Sequence, residues 1–130
     1  MIQKLMRKYE KEINEVYLEK NISNLIQKSN SIFNKMLLDI CNEYELEENL
    51  AIQSLLATAK AEFFKTTDKC LIQKNDIPEI LKIFCGYLDY FQNNYPGKLN
   101  KITDDIFHKN VSLFELANSK NKIENICKNI

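Results

Sequence analysis

Asn75 to Gly97 reads NDIPEILKIFCGYLDYFQNNYPG, and its punctuation and rhythm decide the fold class. Asp76 and Glu79 make a capping-box pair, Pro78 suits a first helical turn, and Asn93, Asn94, Pro96 and Gly97 end the run. A helix is therefore predicted from near Ile77 to near Asn93. On it Ile77, Ile80, Leu81, Phe84, Leu88, Phe91 and Tyr95 fall on one narrow face, which reads as core. Tyr87 sits on the shoulder of that face, while Ile83 and Tyr90 lie a quarter-turn or more off its centre. The apolar sector thus spans roughly half the circumference and needs a second contact. A C-terminal segment folding back supplies one; another protein supplies the alternative, and tyrosine is a common interface anchor, which makes Tyr87 and Tyr90 candidate partner contacts.

Upstream of Pro78 the chain contains neither glycine nor proline, and its apolar spacing is helical rather than alternating. The expected class is all-α: a single-domain helical bundle of about five to six helices spanning 1–130. Ile2, Leu5, Met6, Tyr9, Ile13, Val16 and Tyr17 form one stripe; Leu18, Ile22, Leu25, Ile26, Phe33, Met36, Leu37 and Ile40 form another. At ~100° per residue the second stripe lies about half a turn from the first, so one straight helix cannot bury both against one neighbour. Either the chain turns near Glu19 to Asn24, with Asn21 or Ser23 capping a new helix, or a long helix points its first third elsewhere. In the first case the stripe is covered internally. In the second it projects as an apolar patch for a partner or a second copy, carried by Ile2, Met6, Tyr9, Ile13 and Val16.

DICNEYELEEN, Asp39 to Asn49, holds five carboxylates and no lysine, which suits a solvated turn followed by a helix N-terminus. The next helix has Ile52, Leu55, Leu56, Ala59 and Phe63 on one side and Leu50, Ala57, Ala61 and Phe64 on another. Apolar nearly all round, it belongs in the middle of a bundle. Short helices are expected at the C-terminus: one from Thr103 with Asp104 and Asp105, one from Ser112 with Glu115, and one over Ile123, Ile126, Cys127 and Ile130.

Composition narrows the function classes. With 45% apolar and 28% charged residues the chain has the make-up of a globular protein that needs no metal or disulfide to fold. Its 18 basic and 18 acidic side chains cancel, so no general attraction to nucleic acid or an acidic membrane surface is expected. All the basic residues but Arg7 are lysines, and Asn and Ile abound, the imprint of an AT-rich genome. The N-terminus carries neither a signal-like nor a spanning apolar run, so a cytoplasmic location and no membrane partner are expected. Cys41, Cys70, Cys85 and Cys127 are irregularly spaced and read as reduced, mostly buried thiols.

His108 is the only histidine, which removes metal and acid–base sites built on paired histidines. Asp104 and Asp105 stand at helical spacing from it, yet a surface histidine near a helix end explains the same residues. Two glycines, Gly86 and Gly97, do not build a phosphate loop. Neither an enzyme nor a cofactor is expected.

Lys4, Arg7, Lys8 and Lys11 lie together on the outer side of the first helix, but Glu10, Glu12 and Glu15 interleave with them. LLATAKAEFFK (Leu55–Lys65) and FCGYLDYFQNNYPG (Phe84–Gly97) resemble the small all-helical subunits of type III CRISPR effector complexes. The resemblance implies an all-α subunit aligned along guide RNA; the chain departs from it in lacking the basic residues such contact wants. The leading expectation is a cytosolic helical protein–protein interaction module: an adaptor, inhibitor, dedicated chaperone or small subunit of a larger complex. It holds another protein, or a second copy of itself, through the first helix. The alternative is a small helical subunit of a ribonucleoprotein complex.

Overall fold

The helical rhythm becomes six α-helices among the residues that the computed structural model describes, 1–68 and 71–108, with side chains as far as Asp104. They are α1 (Ile2–Lys8), α2 (Glu10–Leu18), α3 (Ile22–Glu43), α4 (Leu50–Thr67), α5 (Asp76–Asn94) and α6 (Leu99–His108). No helix among these residues is long and apolar enough to cross a membrane. The expected helices around Ser112–Glu115 and Ile123–Ile130, the thiols of Cys70 and Cys127, and the side chain of His108 lie outside the described residues.

Of the two alternatives left by the half-turn offset, the chain takes the turn between α2 and α3. Asn21 takes an extended backbone and its Oδ1 accepts the Asn24 N–H at 3.1 Å, the N-cap that starts α3. The Glu19 carboxylate secures the turn by accepting the Asn21 N–H at 3.0 Å and Lys28 Nζ at 2.7 Å. These two bonds hold its pKa below the ordinary glutamate value, the lysine contact being the larger cause. With the turn made, α3 doubles back along α2, and α1 packs on α5.

The N-terminal arm is bent at Tyr9 (φ −106°, ψ 18°), although backbone bonds to Leu5 and from Ile13 carry the helix through. The Tyr9 hydroxyl donates to Asp39 Oδ2 at 2.6 Å, and Lys8 Nζ reaches the same carboxylate at 3.0 Å. Asp39 is consequently held below the usual carboxylate range, the Tyr9 hydrogen bond being the largest cause. Leu5, Tyr9, Ile13 and Val16 are all buried, Ile13 and Val16 to 1% exposure. This corrects the expectation of a free partner-binding stripe. Tyr9, Ile13 and Val16 are core, and Ile2 and Met6 are half-buried against it. The reason is the Asn21 cap, which lets the chain cover its own first stripe.

α3 ends in a paired-bond motif: the Leu46 N–H bonds back to Cys41 O at 2.8 Å and the Glu45 N–H to Asn42 O at 3.3 Å. Glu45 itself sits at φ 55°, a left-handed position that glycine usually fills and that no sequence signal flagged. Asn49 then caps α4 by accepting the Ile52 N–H at 3.0 Å. One face of α4, with Ile52, Leu55, Leu56, Ala59 and Phe63, is buried as expected. The other is covered only in part, since Ala57, Ala61 and Phe64 are half-buried and Leu50 is 61% exposed. α4 packs chiefly against α5 and α6, and Lys60 stands at its border with α3. The Lys60 ammonium lies 5.1 Å from the centre of the Phe33 ring and donates to Asn30 Oδ1 at 3.2 Å. Burial pushes its pKa down.

α5 matches its expected bounds within a residue, and Ile77, Ile80, Leu81, Phe84, Leu88 and Phe91 are wholly enclosed. Asp76 is buried at its start and accepts the Gln73 N–H at 3.0 Å, closing the preceding turn. α6 begins at Leu99, four residues before the expected Thr103, after a turn in which Gly97 adopts φ 75°. Thr103 is no cap. It is buried beside Leu99 and Ile102, and its hydroxyl bonds the Asn100 carbonyl at 2.9 Å. The i, i+3, i+4 apolar face of these three residues, packed on α4 and α5, outweighs the capping preference.

Candidate functional site: an uncovered end of the core

At ~100° per residue, Ile22 returns to the angular position of Ile40 about five turns further along α3. Phe33, Met36, Leu37 and Ile40 on that face are buried to 1% exposure or less, whereas Ile22 is 59% and Ile26 50% exposed. Leu25 and Ser29, on the same side of α3, stay buried, so near its start cover is lost only at Ile22 and Ile26. Immediately before the turn, Tyr17 and Leu18 at the end of α2 are 67% and 73% exposed. The α2–α3 corner therefore presents four large apolar side chains within ten residues of chain. Ser29, at the inner edge of this region, is fully buried, and its hydroxyl has no hydrogen-bond partner among the described residues.

All four residues were read from the sequence as parts of the two apolar stripes. Periodicity identifies a face but not how far along it the covering helix extends. The usable signal was position: the four flank the turn, where a helical pair ends.

A second concavity, about 890 Å³ in volume, lies between α1 and α5 and includes Ile2, Met6, Arg7, Tyr44, Lys82 and Asp89 in its lining. Within this lining the Tyr44 hydroxyl donates to Asp89 Oδ1 at 2.6 Å. Burial, followed by this bond, pushes the Tyr44 phenol up. Cys85 lines the same cleft. Burial raises its thiol pKa to about 11, as it does that of Cys41 on α3, so both are protonated at neutral pH and are poor nucleophiles. Alkylation at pH 8 is expected to leave Cys41 and Cys85 largely unmodified until denaturant is added. Peptide mass spectrometry after a timed label checks this, and rapid native labelling of both contradicts it.

Tyr87 and Tyr90, expected as partner contacts, are half-buried against the core. The Tyr87 hydroxyl donates to Glu62 of α4 in a short hydrogen bond, and its phenol is pushed up first by burial and then by that bond. Tyr90 stacks edge-on with Phe91, ring centres 5.8 Å apart. The widened apolar sector of α5 is thus met in part by α4. The structure does not bring Tyr87 and Tyr90 together with the residues of the N-terminal stripe into one exposed patch.

On the outer surface of the arm, Lys8 pairs with Asp39, and Glu12 with Lys35 of α3 at 3.4 Å. The first pair offsets one of the four cations of this arm, Lys4, Arg7, Lys8 and Lys11, among which Glu10, Glu12 and Glu15 already interleave. Among the described residues no group of three or more His, Cys, Asp or Glu side chains converges as a metal site. No protein family, characterised protein or solved structure matches the chain.

Proposed function

We propose that this protein is a helical protein–protein interaction module, an adaptor, inhibitor, dedicated chaperone or small subunit, that binds through the α2–α3 corner. The observation that carries the reading is the exposure of Ile22 and Ile26 beside the core face of α3, next in sequence to the exposed Tyr17 and Leu18 at the end of α2. Such grouped apolar exposure marks interaction sites, whereas single exposed apolar residues are ordinary. The chain's charge balance and the paired lysines support a protein partner over nucleic acid.

Affinity capture of the full chain from its own cells, with and without nuclease, tests the reading. The expected result is a protein partner that survives nuclease and is lost when Ile22→Asp and Ile26→Asp are combined. Both positions are exposed, so the variant keeps the fold. Recovery only of nuclease-sensitive complexes replaces this reading with that of a ribonucleoprotein subunit.

A further inference from the structure

We infer that the cleft between α1 and α5 binds a small elongated carboxylate, an apolar chain ending in a single carboxyl group. This goes beyond the interaction-module reading and uses a different surface, so either can fail alone. The cleft's volume of about 890 Å³ falls in the roughly 300–1,000 Å³ range of ligand pockets. Its length follows from α5, where Pro78, Lys82, Cys85 and Asp89 line it at i, i+4, i+7 and i+11, one helix face over about 16 Å. The N-terminal arm contributes Met1, Ile2 and Met6 to the same lining, the last two half-buried. The third methionine of the chain, Met36, is fully enclosed in the core. Both methionines outside the core therefore meet in this cleft, and an unbranched thioether side chain moulds itself to an aliphatic one.

Charge selects the head group. The charged side chains of the lining are Arg7, Lys82 and Asp89. Arg7, the chain's only arginine, has no hydrogen-bond or ion-pair partner among the described residues. Its planar fork matches a carboxylate with two parallel hydrogen bonds. Lys82 is only loosely held, 3.6 Å from Glu79 with both side chains mostly exposed. Asp89 already receives the Tyr44 hydroxyl. In the adjoining hollow that Met6 and Arg7 also line, Lys74 and Glu10 offset each other. The free charge facing the cleft is thus cationic. Asp89 in the same lining disfavours a doubly charged group such as a phosphate, which leaves a monoanion as the complement.

Methyl NMR of the full chain carrying 13C-methyl methionine tests this, because its three signals include two from the cleft and one, Met36, from the core. The probes are decanoate and decyltrimethylammonium, equal chains with opposite head charges. Each is titrated to about 5 mM, since so few heavy atoms bind near the millimolar range at ordinary ligand efficiency. Decanoate is expected to shift Met1 and Met6 saturably and to leave Met36 in place, while the ammonium compound leaves all three. Arg7→Gln, at an exposed position, is expected to weaken decanoate about tenfold at unchanged circular dichroism. The absence of a saturable shift overturns the inference. So does an equal response to both head groups, or affinity for decanoate that Arg7→Gln does not change. A Met36 signal that moves with the other two also overturns it, because the amphiphile is then loosening the core instead of filling the cleft.

Discussion

Replacing Phe84 or Phe91 with alanine is expected to destabilise the protein by about 3–5 kcal/mol, while Tyr90→Ala costs clearly less. Both phenylalanines are fully enclosed on the face of α5 that meets the common core, so truncation removes a whole ring from dry surroundings and leaves a cavity. Tyr90 is only half-buried on the shoulder of that helix. Water already reaches part of it, and the gap left by truncation opens to solvent instead of forming an internal void. Urea melts of the three variants read the difference as a shift in midpoint at constant slope. Equal losses at all three positions contradict the assignment of the faces of α5.

The second large effect concerns the N-terminal arm. Tyr9→Asp combined with Ile13→Asp is expected to unfold the protein, not merely to detach a partner. The combination places two carboxylates at positions 8% and 1% exposed, and burying an unpaired charge costs several kcal/mol per ion. Position 9 adds a further penalty. The native Tyr9 hydroxyl donates to Asp39, so an aspartate there exchanges a hydrogen bond for like-charge repulsion. Since a domain of this size is held by only about 5–15 kcal/mol, the combined loss is a large part of its stability. Thermal circular dichroism is the measurement. The exposed pair Ile22→Asp and Ile26→Asp, changed in the same way, is expected to melt close to the wild type. A Tyr9/Ile13 variant with a native melting temperature sinks the placement of this stripe in the core.

The two pairs of substitutions separate what periodicity conveys from what it does not. Ile13 and Ile22 are the same residue type, each on an apolar stripe, yet one is 1% and the other 59% exposed. An i, i+3, i+4 rhythm reports which residues share a face, because helical geometry is local. Whether that face is covered depends on where the opposing helix begins and ends, which is set by contacts distant in sequence. The same limit explains α4, where apolar residues all round suggested a central helix and the packing covers one side well and the other in part.

By itself the sequence determined the all-α class, the bounds of α5 and its core face, and it narrowed residues 2–40 to a turn near Glu19 to Asn24 or one long helix. Each rests on interactions within a few residues: the half-turn offset of two stripes, the residues Asn93 to Gly97 that end α5, the absence of glycine and proline before Pro78. Tertiary structure decided that the chain turns at Asn21 and covers the first stripe from within, that α6 starts at Leu99 and makes Thr103 core, and that Tyr17, Leu18, Ile22 and Ile26 stay exposed at the α2–α3 corner. The physical reason is that burial is a property of pairs of elements. A local pattern states what a segment can bury, but only the lengths and placement of its neighbours set what it does bury.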